Sequence, residues 1–128
     1  MHRVYPTPKK RESVLREKSY KFAVRVVKLS QHLQTNNKEY VLSKQILRSG
    51  TAIGALVREA EFAQSTSDFI HKLNIALKEA NETDFWLNLL KDTDYMDITS
   101  FNSMTTDCKE LIAILVSSIK TLKLKVKN

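Results

Sequence analysis

QILRSGTAIGALVREA, residues 45–60, decides the fold. Ile46, Ser49, Ile53, Leu56 and Ala60, with Leu42 before them, recur at three- and four-residue steps, which places them on one side of an α-helix. Gly50 and Gly54 stand four apart on one face of that helix, where the lack of side chains lets a neighbouring backbone approach closely. The Ser49–Ala55 run is weak in intrinsic helix propensity, so its helix has to be held by packing. Arg48, Arg58 and Glu59 bracket the stretch too tightly for a membrane span. The motif therefore asks for a second helix laid against the first.

Three further segments supply such partners. Residues 13–34 carry Leu15, Phe22, Val26, Leu29 and Leu33 as one apolar stripe, with Lys18, Lys21, Arg25 and Lys28 on the opposite face. The glycine-bearing helix is predicted over 38–63. Ser65-Thr66-Ser67-Asp68 reads as a capping box opening a third helix over 66–91, with Phe69, Leu73, Ala76, Leu77, Ala80, Trp86, Leu87 and Leu90. A fourth helix is predicted over 98–123, with Phe101, Met104, Cys108, Leu111, Ile112, Leu115, Ile119 and Leu122 inward. Each helix is about 35 Å long at 1.5 Å per residue. Similar lengths and short breaks imply an all-α, antiparallel up-down-up-down four-helix bundle. The expected organisation is a basic arm over 1–12, the bundle over 13–123 and a basic tail over 124–128. Two glycines and two prolines in 128 residues leave too little turn chemistry for an all-β domain.

The chain carries a net charge of +7. Residues 1–20 hold Arg3, Lys9, Lys10, Arg11, Arg16 and Lys18 against Glu12 and Glu17. Residues 109–128 hold Lys109, Lys120, Lys123, Lys125 and Lys127 against Glu110, and the residues between are nearly neutral. An up-down-up-down bundle brings both ends of the chain together, so the topology predicts a basic pole. Lys9, Lys10, Arg11, Lys18, Lys21, Arg25, Lys28, Lys120, Lys123, Lys125 and Lys127 are the candidate phosphate-binding set for RNA or DNA. The charge alone is read equally well as a solvating surface. The single cysteine, Cys108, excludes an intramolecular disulfide framework and is expected to be a core thiol in a reducing cytoplasm. The N-terminal sequence has no apolar signal-like run, and no membrane segment is expected.

Catalytic and metal patterns are thin. Asp68 and His71 are one turn apart, but the second Glu-x-x-His half of a ferritin-like site is missing. Arg25 and His32 share a face at a spacing seen in small helical ribonucleases, and a solvated basic stripe accounts for them better. Glu59, Glu79 and Glu82 are expected to pair with Arg48, Arg58 or the Trp86 indole as a structural polar network. Trp86 is read as core or interface rather than as a base-stacking platform. No catalytic residue, metal or cofactor is expected.

The run Arg48-Ser49-Gly50-Thr51-Ala52-Ile53-Gly54-Ala55, then Arg58-Glu59-Ala60, Asp68-Phe69-Ile70-His71-Lys72-Leu73, Glu79-Ala80, Glu82-Thr83 and Phe85-Trp86-Leu87, resembles a known family. It is the bacterial four-helix-bundle family named for proteins encoded by intervening sequences in large-subunit rRNA genes. The accessory variability determinant of diversity-generating retroelements is similar. Ala52 and Leu56 stand where the family pattern has Ser and Asn, which removes two polar groups. The resemblance implies a cytoplasmic homopentamer. Its retroelement relatives further imply nucleic-acid binding and a reverse transcriptase partner. The resulting expectation is a non-enzymatic, nucleic-acid-associated accessory or scaffold protein, with a protein–protein assembly module as the alternative.

Overall fold

Four helices follow in chain order: α1 (Lys10–Asn36), α2 (Leu42–Ala60), α3 (Thr66–Asp92) and α4 (Ile98–Lys127). The computed structural model describes residues 10–127, with side chains from 13 to 126, and holds no strand among them. Sequence neighbours pack in order, α1 on α2, α2 on α3 and α3 on α4, and α4 closes onto α1 more lightly. This is the antiparallel bundle that the periodicity predicts. Phe22, Val26 and Leu33, Ile46 and Ile53, Leu73, Leu87 and Leu90, and Leu111 and Leu115 fill the core, one group from each helix.

The glycine face of α2 meets α1 as the small-residue spacing requires. A Cβ on Gly50 would lie 2.7 and 2.8 Å from the two methyls of Val26, and a Cβ on Gly54 would lie 3.2 Å from the Ser19 carbonyl oxygen. Val26 is fully buried and β-branched, so its methyls cannot swing aside. Buried hydroxyls stitch the same layer. Ser30 donates to the Ser43 carbonyl at 3.1 Å, and the Ser49 and Thr83 hydroxyls meet at 2.9 Å between α2 and α3. On the far side Thr105 donates to Asp84 and the Cys108 thiol to the Ala80 carbonyl, joining α4 to α3.

The helix ends depart from the expected boundaries for local reasons. α2 begins at Leu42 rather than near 38. Lys38 takes a left-handed conformation (φ 54°), which turns the chain back so that the Glu39 N–H bonds to the Leu33 carbonyl and α1 stops. Glu39 then caps α2: its carboxylate accepts the Ser43 N–H at 2.8 Å, and its carbonyl accepts the Ser43 hydroxyl. Partial burial opposes ionisation of Glu39, but the backbone N–H groups of Ser43, Leu42 and Val41 outweigh it and hold the carboxyl below its ordinary value. α3 opens as the capping box predicts: the Ser65 hydroxyl accepts the Asp68 N–H at 3.0 Å. α1 already starts at Lys10, and residues 1–9 of the expected arm lie outside the described residues. α4 continues through Lys127, so 124–127 extend the helix. With no glycine or proline after residue 54 nothing breaks it, and lysines at a helix C-terminus complement the dipole.

Two outcomes test this packing. Gly50→Ala gains up to about 1 kcal/mol of helix propensity, but the clash with Val26 costs about 1–3 kcal/mol. The variant melts below the native protein, and its penalty shrinks in a Val26→Ala background. Glu39→Gln lowers stability by about 1 kcal/mol near neutral pH through the weakened cap. Because the native carboxyl titrates low, that stabilisation is present above the ordinary carboxylate pKa and is lost as pH falls through the native value. The two melting curves therefore converge in acid.

Candidate nucleic-acid interface

The cross-helix pairs set which charges share an end of the molecule. Lys18 pairs with Glu110 at 3.1 Å, while Arg25 pairs with Asp107 at 2.6 Å and donates to the Ser103 hydroxyl at 2.8 Å. In that antiparallel register the start of α1 lies beside the last turns of α4, together with the end of α2 and the start of α3. By the same register the final turn of α4 runs past its neighbours, which leaves Leu124 and Val126 more than half exposed. The opposite end carries Asp92, Asp94 and Asp97, all exposed. Asp97 accepts the Ser100 N–H at the start of α4, and that bond holds its carboxyl low.

Within the basic end most carboxylates are already engaged. Glu61 pairs with Arg16 at 3.2 Å, Glu17 with Lys21 at 3.0 Å, Glu59 with Lys72 at 3.5 Å and Glu110 with Lys18. The Lys21 ion pair and side-chain hydrogen bond lower the Glu17 carboxyl. Asp68 accepts the Gln64 N–H. Lys120, Lys123 and Arg58 are exposed and have no carboxylate partner among the described residues.

The structure thus divides the candidate set. Lys18, Lys21 and Arg25 sit in ion pairs, two of them closing the α1–α4 seam. Lys28 is exposed farther along α1. Lys120, Lys123 and Lys125 line the exposed end of α4. Lys9 lies outside the described residues, as do the side chains of Lys10, Arg11 and Lys127.

A polar network surrounds Arg48. Its guanidinium bridges Glu79 at 3.1 Å and Glu82, and Glu82 accepts the Trp86 indole N–H at 3.1 Å. Arg58 and Glu59 stand apart from it. Arg58, in the last turn of α2, lies over the Tyr20 ring at 5.9 Å, and Glu59 faces Lys72. The reason is helical phase: three residues beyond Ala55, Arg58 turns toward α1, whereas Arg48 turns toward α3. Trp86 is half-buried, with Phe85 against it edge-on at 5.0 Å and Phe85 itself 57% exposed.

Arg25 and Asp68, one member of each thin catalytic pattern, have structural partners. Arg25 is held by Asp107 and Ser103, and His32 is exposed farther along α1. Asp68 serves the α3 cap, and His71 is exposed. Among the described residues no three His, Cys, Asp or Glu side chains converge as metal ligands. The Cys108 thiol is fully buried, and burial, reinforced by the Asp84 charge, pushes it up to about 12, so it is a poor nucleophile. No described helix is long and apolar enough to cross a membrane.

Sequence reasoning passed over Tyr20. It is 59% exposed and lies on the outer face of α1 with the exposed Val24 and Val27. The signal was the Tyr20, Val24, Val27 spacing, an outward stripe beside the inward one.

A four-helix bundle with this motif in α2 and α3 defines the class. The sequence profile described as 23S rRNA-intervening sequence protein matches residues 11–117, and the chain belongs to that family. A crystal structure of a protein with unknown function from the S23 ribosomal protein family, from Bacteroides thetaiotaomicron VPI-5482, is similar at 55% identity. The match covers 86% of this chain and 98% of that one, with a TM-score of 0.85. A comparison with curated proteins returns no match.

Proposed function

We propose that this chain is a non-enzymatic, homo-oligomeric accessory or scaffold protein of the cytoplasm that associates with nucleic acid through its basic end. One observation carries the reading: among the described residues, Glu17, Glu59, Glu61, Glu110 and Asp68 at that end are engaged in ion pairs or a cap, while Lys120 and Lys123 face solvent without a carboxylate partner. Uncompensated lysines at a projecting helix end are suited to phosphate contacts and counterion release. The candidate contact set is Lys120, Lys123 and Lys125 on α4, with Lys127 two residues on and Lys9, Lys10 and Arg11 at the opposite end of the sequence. The family's description, which refers to 23S rRNA, supports RNA as the polyanion. Resemblance to the retroelement accessory protein points to a reverse transcriptase as protein partner. Oligomerisation, pentameric by the family resemblance, would multiply the basic ends on one particle and raise avidity.

The protein–protein assembly reading rests on a different face. Phe85 is exposed beside Trp86 on α3, and an apolar pair of this kind is a common interface anchor.

Anisotropy with labelled RNA and light scattering test the proposal together. Affinity falls steeply with salt, each phosphate contact adding about 0.7–0.9 to the log–log slope. Lys120→Glu with Lys123→Glu weakens binding and flattens that slope without lowering the melting temperature, because both side chains are exposed. The same reversals at Lys44 and Lys78 have less effect. Absence of RNA and DNA binding at low salt transfers the function to the assembly reading. A particle mass of 14.7 kDa in light scattering removes the oligomer.

A further inference from the structure

On the outer side of α1, at its seam with α2, lies a shallow depression of about 320 Å³ lined by Ser13, Arg16, Glu17, Tyr20, Lys21 and Arg58. Its volume lies at the small end of ligand-sized clefts, about 300–1,000 Å³. Three of its six lining side chains are cationic and one is aromatic. Arg16 is drawn toward Glu61, and Lys21 toward Glu17 in an exposed i,i+4 pair, which is a weak tie in water. Arg58 has no carboxylate partner among the described residues. Its guanidinium rests over Tyr20, 5.9 Å from the ring centroid, which restrains a long side chain that is itself exposed. Tyr20 itself is 59% exposed, so much of its ring remains open.

We infer that this depression is a binding niche for single-stranded nucleic acid. A phosphodiester takes the N–H fork of Arg58, with Arg16 and Lys21 as the flanking charges, and the adjacent unpaired base lies against Tyr20. A guanidinium fork suits two phosphate oxygens better than a lysine point charge does. An exposed aromatic ring adds stacking that a base locked in a duplex cannot use. The inference rests on the reading of the basic end as a nucleic-acid surface and adds strand preference to it. The α4 lysines see only phosphates and do not distinguish single strand from duplex, whereas the niche does.

The experiment uses the full chain, a labelled single-stranded oligouridylate, its DNA counterpart and a duplex of equal length, all compared by anisotropy at low salt. Arg58→Lys keeps the charge and loses the fork, while Tyr20→Leu keeps the helix and loses the ring. Each is expected to weaken single-strand binding by at least about fivefold and to leave duplex binding unchanged. Lys120→Glu with Lys123→Glu weakens both ligands alike. Single-strand binding by Arg58→Lys and Tyr20→Leu at native strength overturns the niche and leaves the basic-end reading standing. Failure of the native chain to bind any of the three ligands overturns both. Photocrosslinking with a 5-iodouridine oligonucleotide gives a readout independent of the variants. Attachment to Tyr20 supports the niche, and attachment confined to other helices overturns it.

Discussion

The close approach of α1 and α2 is the constraint on which the rest of the bundle depends. Val26 sits where any side chain on Gly50 would stand, and the Ser19 carbonyl lies just outside Gly54. With the two backbones this near, α1 cannot rotate about its axis without driving Val26 into α2. That locked phase sends Phe22 and Leu33 into the core and Lys18 and Arg25 toward α4. It leaves Tyr20 facing out beside the last turn of α2. The phase of one helix thus decides which of its cations are consumed in ion pairs.

Charge in this molecule is shaped more by pairing than by composition. The net charge of +7 does not tell a reader that Glu17, Glu59, Glu61 and Glu110 each hold a neighbouring cation. Exposed pairs of this kind contribute little to stability, about 0–1 kcal/mol each. Their larger effect is to partly neutralise the paired lysines and arginines, whereas Lys120, Lys123 and Arg58 at the basic end have no carboxylate partner among the described residues. The Arg48–Glu79–Glu82–Trp86 arrangement does something else, tying α2 to α3 beside the buried Ser49–Thr83 contact.

Helix number, order and inward stripes were legible because period-3.6 patterns survive without knowledge of partners. The small-residue spacing at Gly50 and Gly54 announced a close neighbour, and the Ser65 cap was written in its own tetrapeptide. What escaped depends on phase and register between helices. Arg58 was grouped with Arg48 because both bracket the same motif, yet ten residues of α-helix turn them toward different neighbours. The engagement of Lys18 and Arg25 could not be read, because their partners lie on α4, most of the chain away. Lys38 in a left-handed turn is a similar case, since a lysine carries no signal for that conformation and only the Leu33 carbonyl reveals why it is adopted.

The light α1–α4 seam has a kinetic meaning. Three of the four helix contacts join sequence neighbours through short turns, so they form at little loop-closure cost. The fourth must bring together helices separated by two others and is clasped at its surface by Lys18–Glu110 and Arg25–Asp107. Mostly local contacts place the chain among fast-folding topologies. The α1–α4 seam thus carries the largest loop-closure cost of the four helix contacts for the lightest packing in return.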